Sequence, residues 1–410
     1  MNINEQLRKY ADLVINEGLK IKKDDVLIIR GQVEMIEFIR ILVETAFKSG
    51  AKDVKVNYRD EYISKIRFQN ASIETLEEVP QYFIDEQNSH MNKKAKFLSL
   101  VGNDPNLLSD VDPNKIKASV LSTSKALKDF NGKMMNNETS WCVVGAAVPS
   151  WAKVVFPDLD IDEAMEKLWN LIFYTVRVDK ENPIDEWDKH VDNLKKWSEF
   201  LNSHQFESLK YFSENGTDLE IKLPQNYIFS GASEFNRSGE EFIANMPTEE
   251  VFSMPHRDGA NGIVYNTKPL NYNGNLIDDF YLKFKDGVVV DFGAKTGYEV
   301  LKNMLDSDEG ASRLGEVALV PYHSPISETE ILFYETLYDE NASCHLALGK
   351  AYPTCIKDGE NMSEKELLDN GVNDSVIHVD FMIGHKTTNI KGIKKDGTII
   401  QIFENGDFVI

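Results

Sequence analysis

The first hundred residues constrain the fold most, because short apolar runs alternate there with stretches of helical period. Ile3, Leu7, Ala11, Val14 and Ile15 recur at helical spacing, residues 25–30 form a short buried-strand run, and residues 35–48 form a second amphipathic helix ending at Gly50. Residues 53–58 and 96–101 read as further strands, with a helical stretch to about residue 92 between them. Strand, helix, strand, helix, strand predicts right-handed crossovers and a largely parallel sheet. The turn after the first strand, Gly31-Gln-Val-Glu-Met35, carries no glycine-rich phosphate loop, and no G-x-x-x-x-G-K-[ST] occurs in the chain. A nucleotide role is therefore not expected, and this half reads as a scaffold or lid.

From about Gln205 the texture changes. Hairpin signals sit at Asn215-Gly216, Asn273-Gly274, Asp286-Gly287, Asp396-Gly397 and Asn405-Gly406, broken only by short helical patterns near residues 298–304 and 363–369. A chain of 410 residues is too long for one ordinary core. The expectation is an α/β N-terminal domain over 1–205 and a β-rich α+β domain over 206–410, the second carrying the chemistry.

The formal charge is −22. That field repels nucleic acid and anionic membrane surfaces, and attracts metal cations and peptides with a free amino group. Three scattered cysteines make no disulfide framework, no apolar run is long enough for a bilayer, and the opening M-N-I-N-E-Q-L-R-K-Y lacks the pattern of a secretory signal. A cytoplasmic protein is expected.

Five of the eight histidines, His256, His323, His345, His378 and His385, lie after the boundary. In Glu335–Tyr352 an extended segment puts Cys344, Leu346 and Leu348 on one face and His345 on the other, between Ser343 and Ala347, with Glu340 upstream and Tyr352 beyond. In Val376–Gly384, His378 and Asp380 share a strand face, with Ile377, Val379 and Phe381 on the other. Glu316 enters an apolar strand, facing the same way as Ala318 and Val320, and Glu249-Glu250 is an acidic pair bracketed by Pro247 and Pro255. Each has a plain structural alternative. His378 can be a satisfied core histidine, Glu316 a surface partner of Arg313, the acidic pair a solvated turn, and Tyr352 a core aromatic before Pro353; in the functional reading one acid of the pair ligates while the other pairs with Arg257 or acts as a base. Jointly, Glu250, Glu316, Glu340, His345, His378 and Asp380 supply four carboxylates and two imidazoles without a thiolate. That donor set suits two divalent ions, and zinc, cobalt and manganese are all compatible.

The chain resembles the dinuclear-metal aminopeptidases typified by aminopeptidase T and aminopeptidase S. The resemblance is most specific in N-M-P-T-E-E-V-F-S-M-P-H-R-D (245–258), R-L-G-E-V-A-L-V (313–320), L-F-Y-E-T-L-Y-D-E-N-A-S-C-H-L-A-L-G (332–349) and H-V-D-F-M-I-G (378–384). It implies a homodimeric metallopeptidase acting on small peptides with a free N-terminus. The implied metal ligands fall on the six residues above, with Glu316 as the bridge, and Tyr352 matches the tyrosine expected beside the metals. The expected chemistry is hydrolysis of the first peptide bond by a metal-bridging water, with Glu249 the candidate to take its proton and Tyr352 to donate to the developing oxyanion. A two-metal phosphoesterase and a non-catalytic protein with structural metals are the alternatives.

Overall fold

In the computed structural model, which describes residues 3–272 and 275–410, the chain divides into two compact units. One comprises Met1–Trp187 with Ser233–Pro247, the other Asp188–Ala232 with Thr248–Ile410. The division falls inside the helix Pro183–His204. The hairpin signal at Asn273-Gly274 lies outside the described residues.

The first unit is built on strands β1 (Val26–Gln32), β2 (Asp53–Arg59), β3 (Lys96–Val101), β4 (Trp141–Gly145) and β5 (Asn245–Met246), in the spatial order β5-β4-β3-β1-β2. Every pairing is parallel. The crossovers use helices such as Ile36–Lys48, whose Phe38, Ile39, Leu42 and Ala46 are buried at helical spacing. The sheet is the parallel one that the alternating pattern predicts. Lys96 is a buried cation in this unit. Lys96 Nζ lies 2.9 Å from Asp25 and 3.3 Å from Glu240, and donates to the carbonyls of Leu19 and Lys20. It ties the start of β3 to two segments distant in sequence.

The second unit is antiparallel. Its smaller sheet contains β6 (Val251–Ser253), β7 (Leu314–Leu319), β8 (His345–Gly349) and β9 (His378–Met382), in the order β9-β8-β7-β6 with Ser230–Gly231 at the edge. A nine-stranded sheet among the described residues contains the hairpins at Asn215-Gly216, Asp286-Gly287, Asp396-Gly397 and Asn405-Gly406. One apolar core joins the two sheets. Val317, Leu319, Leu346, Leu348 and Phe381 come from the small sheet, and Leu209, Leu219, Ile221, Leu282 and Ile390 from the large one. Phe280 and Phe381 meet across it with ring centroids 5.7 Å apart. Cys344 belongs to this core, so it packs as its alternation with His345 predicts.

Replacing the buried Lys96 ammonium should expose the cost of its partners. Lys96→Met leaves Asp25 without its cation, while Glu240 keeps Lys22 Nζ at 2.9 Å. Both retain some water access, so we expect a loss of about 2 kcal/mol, below the usual cost of breaking a fully buried pair. A lower urea midpoint with unchanged metal content would be the signature.

Candidate metal centre

Cross-strand register puts the chemistry on one face of the small sheet. His345 lies opposite Ala318 of β7 and Met382 of β9, Ala347 lies opposite Glu316 and Asp380, and Gly349 lies opposite His378. Opposed residues share a face. Glu316, His345, His378 and Asp380 therefore project to one side, and Val317, Leu346, Leu348 and Phe381 enter the core on the other. Between the polar groups the face is paved with Ala318, Ala347 and Gly349, which leaves space above the sheet.

Glu316 reaches this face through a bulge. Leu314 pairs with Leu348 but Glu316 pairs with Ala347, so the register slips at Gly315. In an unbroken strand Leu314 and Glu316 would point the same way. The extra residue sends Leu314 into the core and Glu316 to the opposite side. A Cβ at Gly315 would collide with the carbonyls of Gly349 and Lys350, so the bulge accepts only glycine without rearrangement.

The groups converge as two trios with one shared member. Glu250, Glu316 and His345 offer ligand atoms within 4.8 Å of one another, and so do Glu316, His378 and Asp380. His345 Nε2 is 3.0 Å from Glu250 Oε2 and 3.6 Å from Glu316 Oε1. His378 Nε2 is 3.4 Å from Glu316 Oε2 and 3.5 Å from Asp380 Oδ1. Each oxygen of Glu316 thus faces a different imidazole. The other ring nitrogens are committed, since His345 Nδ1 lies 3.2 Å from the Ser343 carbonyl and His378 Nδ1 2.6 Å from the Lys350 carbonyl. A carbonyl only accepts, so both Nδ1 atoms carry hydrogen and both Nε2 atoms turn toward the carboxylates.

Electrostatics report the crowding. Burial pushes the Glu250 carboxyl up, and His345 only partly offsets this. Burial pushes Glu340 well up as well, reinforced by Asp380 and Glu250. Burial disfavours charge on His345, but Glu250 and Glu316 override it and raise the imidazole well above its ordinary range. His378 is raised in the same way against burial, with Tyr352 and Asp380 the leading causes. Burial also acts to raise Asp380, yet His378 outweighs it and holds the carboxyl low. Glu250 Oε2 and Asp380 Oδ1 are buried without a hydrogen-bond partner despite the nearby imidazoles.

Glu340 lies outside both trios, on the short helical turn Glu340–Ala342, although the charges of Asp380, Glu250, His345 and Glu316 all act on it. The ring of Tyr352 stands edge-on to His378 at 5.1 Å. His378 pulls its phenol down, but burial and the carboxylates of Glu316, Asp380 and Glu340 prevail and raise it. Glu249 is buried outside both trios, its Oε2 3.6 Å from His190 Nε2.

Two of the alternative salt bridges are replaced by other pairs. Arg313 bonds Asp258 at 2.6 Å, and Arg257 bonds Glu309 at 3.1 Å. Two residues escape sequence reasoning. Asn341 is fully buried, accepts the Glu249 backbone N–H at 2.7 Å, and donates to the Leu337 carbonyl and, at 3.4 Å, to Glu340. His190, 2.7 Å from the Thr248 carbonyl, abuts the acidic pair from a helix. The D-E-N run hints at the first, and no local signal marks the second.

Residues 3–408 match the thermophilic metalloprotease family, M29. The chain belongs to that family. It is 44% identical over 404 residues to aminopeptidase 2 of Geobacillus stearothermophilus, covering 98% of each chain. It is 43% identical over 407 residues to aminopeptidase AmpS of Bacillus subtilis, covering 99% of each. It superposes on the solved structure of wild-type AmpT from Thermus thermophilus with a TM-score of 0.93 at 34% identity, covering 99% of this chain and 100% of that one. The M29 chain described here carries a donor set that fits a metalloprotease. It has orphaned buried carboxylate oxygens, imidazoles turned by their Nδ1–H bonds, and carboxylates crowded in a way that only cations or protons relieve.

Ala347 provides a test, since it is fully buried between Glu316 and Asp380 in register. Ala347→Leu should fill the space above the sheet at a stability cost of about 1–3 kcal/mol. Metal bound per chain should fall to near zero while the circular dichroism of the folded protein is retained. Unchanged metal content would show that the floor need not be small.

Proposed function

We propose that this chain is a metal-dependent aminopeptidase in which Glu250, Glu316, Glu340, His345, His378 and Asp380 hold two divalent ions, zinc, cobalt or manganese. Glu316 is the member that the two trios share. The observation that carries this reading is the split of the Glu316 carboxylate, with Oε1 facing His345 and Oε2 facing His378. Bound ions would supply Lewis acidity for the scissile carbonyl and an activated water. The remaining work falls to the chain. The Nδ1–H bonds of His345 and His378 to backbone carbonyls orient both rings without help from substrate. Tyr352, a phenol neutral at pH 7, donates to the oxygen that gains charge on attack. We assign proton transfer to Glu249, a buried carboxyl next to Glu250 in sequence and 3.6 Å from His190 Nε2. A carboxylate-lined site also favours the ammonium group of a free peptide N-terminus, which restricts cleavage to the first bond.

A phosphoesterase finds no support. The arginines within the motifs, Arg257 and Arg313, are engaged with Glu309 and Asp258. A cytoplasmic homodimer belongs to the same reading and rests on the family resemblance. No helix among the described residues is long and apolar enough to cross a membrane.

Glu316→Gln should lower kcat/KM on aminoacyl-p-nitroanilides by at least about a hundredfold, the upper range for losing even an outer-sphere partner, and should reduce metal loading. Near-full activity in that variant would sink the bridging role. Tyr352→Phe should lower kcat with metal content intact, whereas loss of metal would make the phenol structural. Chelation should silence the enzyme, added zinc, cobalt or manganese should restore it, and N-acetylated peptides should resist cleavage.

A further inference from the structure

The segment that carries Glu249 and Glu250 has no ladder of its own. Residues 248–250 lie outside regular secondary structure, immediately before β6, yet Thr248, Glu249 and Glu250 are all buried. A buried backbone without strand or helix partners must find its hydrogen bonds elsewhere. The peptide that joins Thr248 to Glu249 finds them at both ends. Its carbonyl lies 2.7 Å from His190 Nε2, and its N–H donates to Asn341 Oδ1, also at 2.7 Å. A carbonyl only accepts, so Nε2 of His190 carries the hydrogen. The C=O and N–H of a trans peptide point in opposite directions, so the two side chains grip one peptide plane from opposite sides.

The grip is itself anchored. Asn341 is fully buried, and its amide nitrogen donates to the Leu337 carbonyl at 3.0 Å, which settles which way the amide faces. Ser324 Oγ donates to the Asn341 backbone carbonyl at 3.1 Å. The same amide nitrogen reaches Glu340 Oε1 at 3.4 Å. One side chain therefore touches two of the segments that bring carboxylates to the metal centre. His190 comes from the helix Pro183–His204, distant in sequence from both.

We propose that Asn341 and His190 are positioning residues, which aim Glu250 into its trio with Glu316 and His345 by holding the Thr248–Glu249 peptide. The inference rests on the two-ion reading above. Glu250 sits between two fixed points. On one side is the gripped peptide, and on the other Val251, which pairs with Leu319 of β7 and with Gly231. Glu250 Oε2 is buried without a hydrogen-bond partner, so its direction is set by the backbone that carries it. Released at either contact, the peptide plane is free to turn, and the carboxylate with it. The other trio, Glu316, His378 and Asp380, stands on β7 and β9 and does not depend on the grip. Loss of either side chain should therefore act on one ion and spare the other.

The test is a titration of the metal-stripped full chain with cobalt(II), each binding step followed by the visible absorption of the bound ion. The wild type should take up two ions per chain. Asn341→Leu and His190→Phe should each weaken one step by about tenfold to a hundredfold and leave the other within about twofold. His190→Gln can donate to the Thr248 carbonyl from the place of Nε2, and should recover most of the affinity lost in His190→Phe. The unfolding midpoint of each metal-free variant checks the fold, since a residue that only supports the core would lower that midpoint without selecting one ion. Should Asn341→Leu fail to fold, the two His190 variants decide the outcome. Equal weakening of both steps, weakening of neither, or a His190→Gln chain as weak as His190→Phe would overturn the proposal and leave the two-ion reading standing. A wild type that takes up fewer than two ions removes that reading, and the proposal with it.

Discussion

The second unit depends on a repulsion that its own side chains do not relieve. Glu316 gathers Glu250 on one side and Asp380 on the other, each trio within 4.8 Å, with Glu340 acting on them electrostatically. Carboxylates in so little water cannot all remain charged without a counter-charge. Two imidazoles face them, each fixed by a backbone carbonyl so that Nε2 turns inward. Either protons or cations must complete the balance. The buried oxygens of Glu250 and Asp380 that find no hydrogen-bond donor favour cations.

That arrangement is tolerable because the two faces of the same sheet do different work. The core face, from Leu314 to Phe381, closes against the nine-stranded sheet and holds β6 to β9 rigidly. The other face is floored by alanine and glycine, so the polar groups meet above it without contact with bulky neighbours. Rigidity from one side and vacancy on the other are both needed for ligand-capable atoms to converge.

Much of this was legible from alternation alone. A period of two put His345 opposite in sense to Cys344 and Leu346, and His378 with Asp380, and both assignments agree with the observed register. The same rule applied across Gly315 fails, since it cannot foresee that Leu314 and Glu316 part company at a bulge. Nor could it locate the partners of Arg313 and Arg257, which bond Asp258 and Glu309, the latter 52 positions from Arg257. Asn341 and His190 were invisible for a related reason. Their roles come from what the fold brings to the Glu249 segment, not from any pattern around them.

The sequence by itself determined the parallel sheet of the first unit, the hairpins of the second, and the choice of oxygen and nitrogen donors. Local periodicity and side-chain chemistry are written residue by residue. Only the tertiary structure decided that Glu316 serves two trios and that Glu340 and Glu249 stand outside them. Those facts depend on register between strands far apart in the chain, and register is set by packing of the whole core.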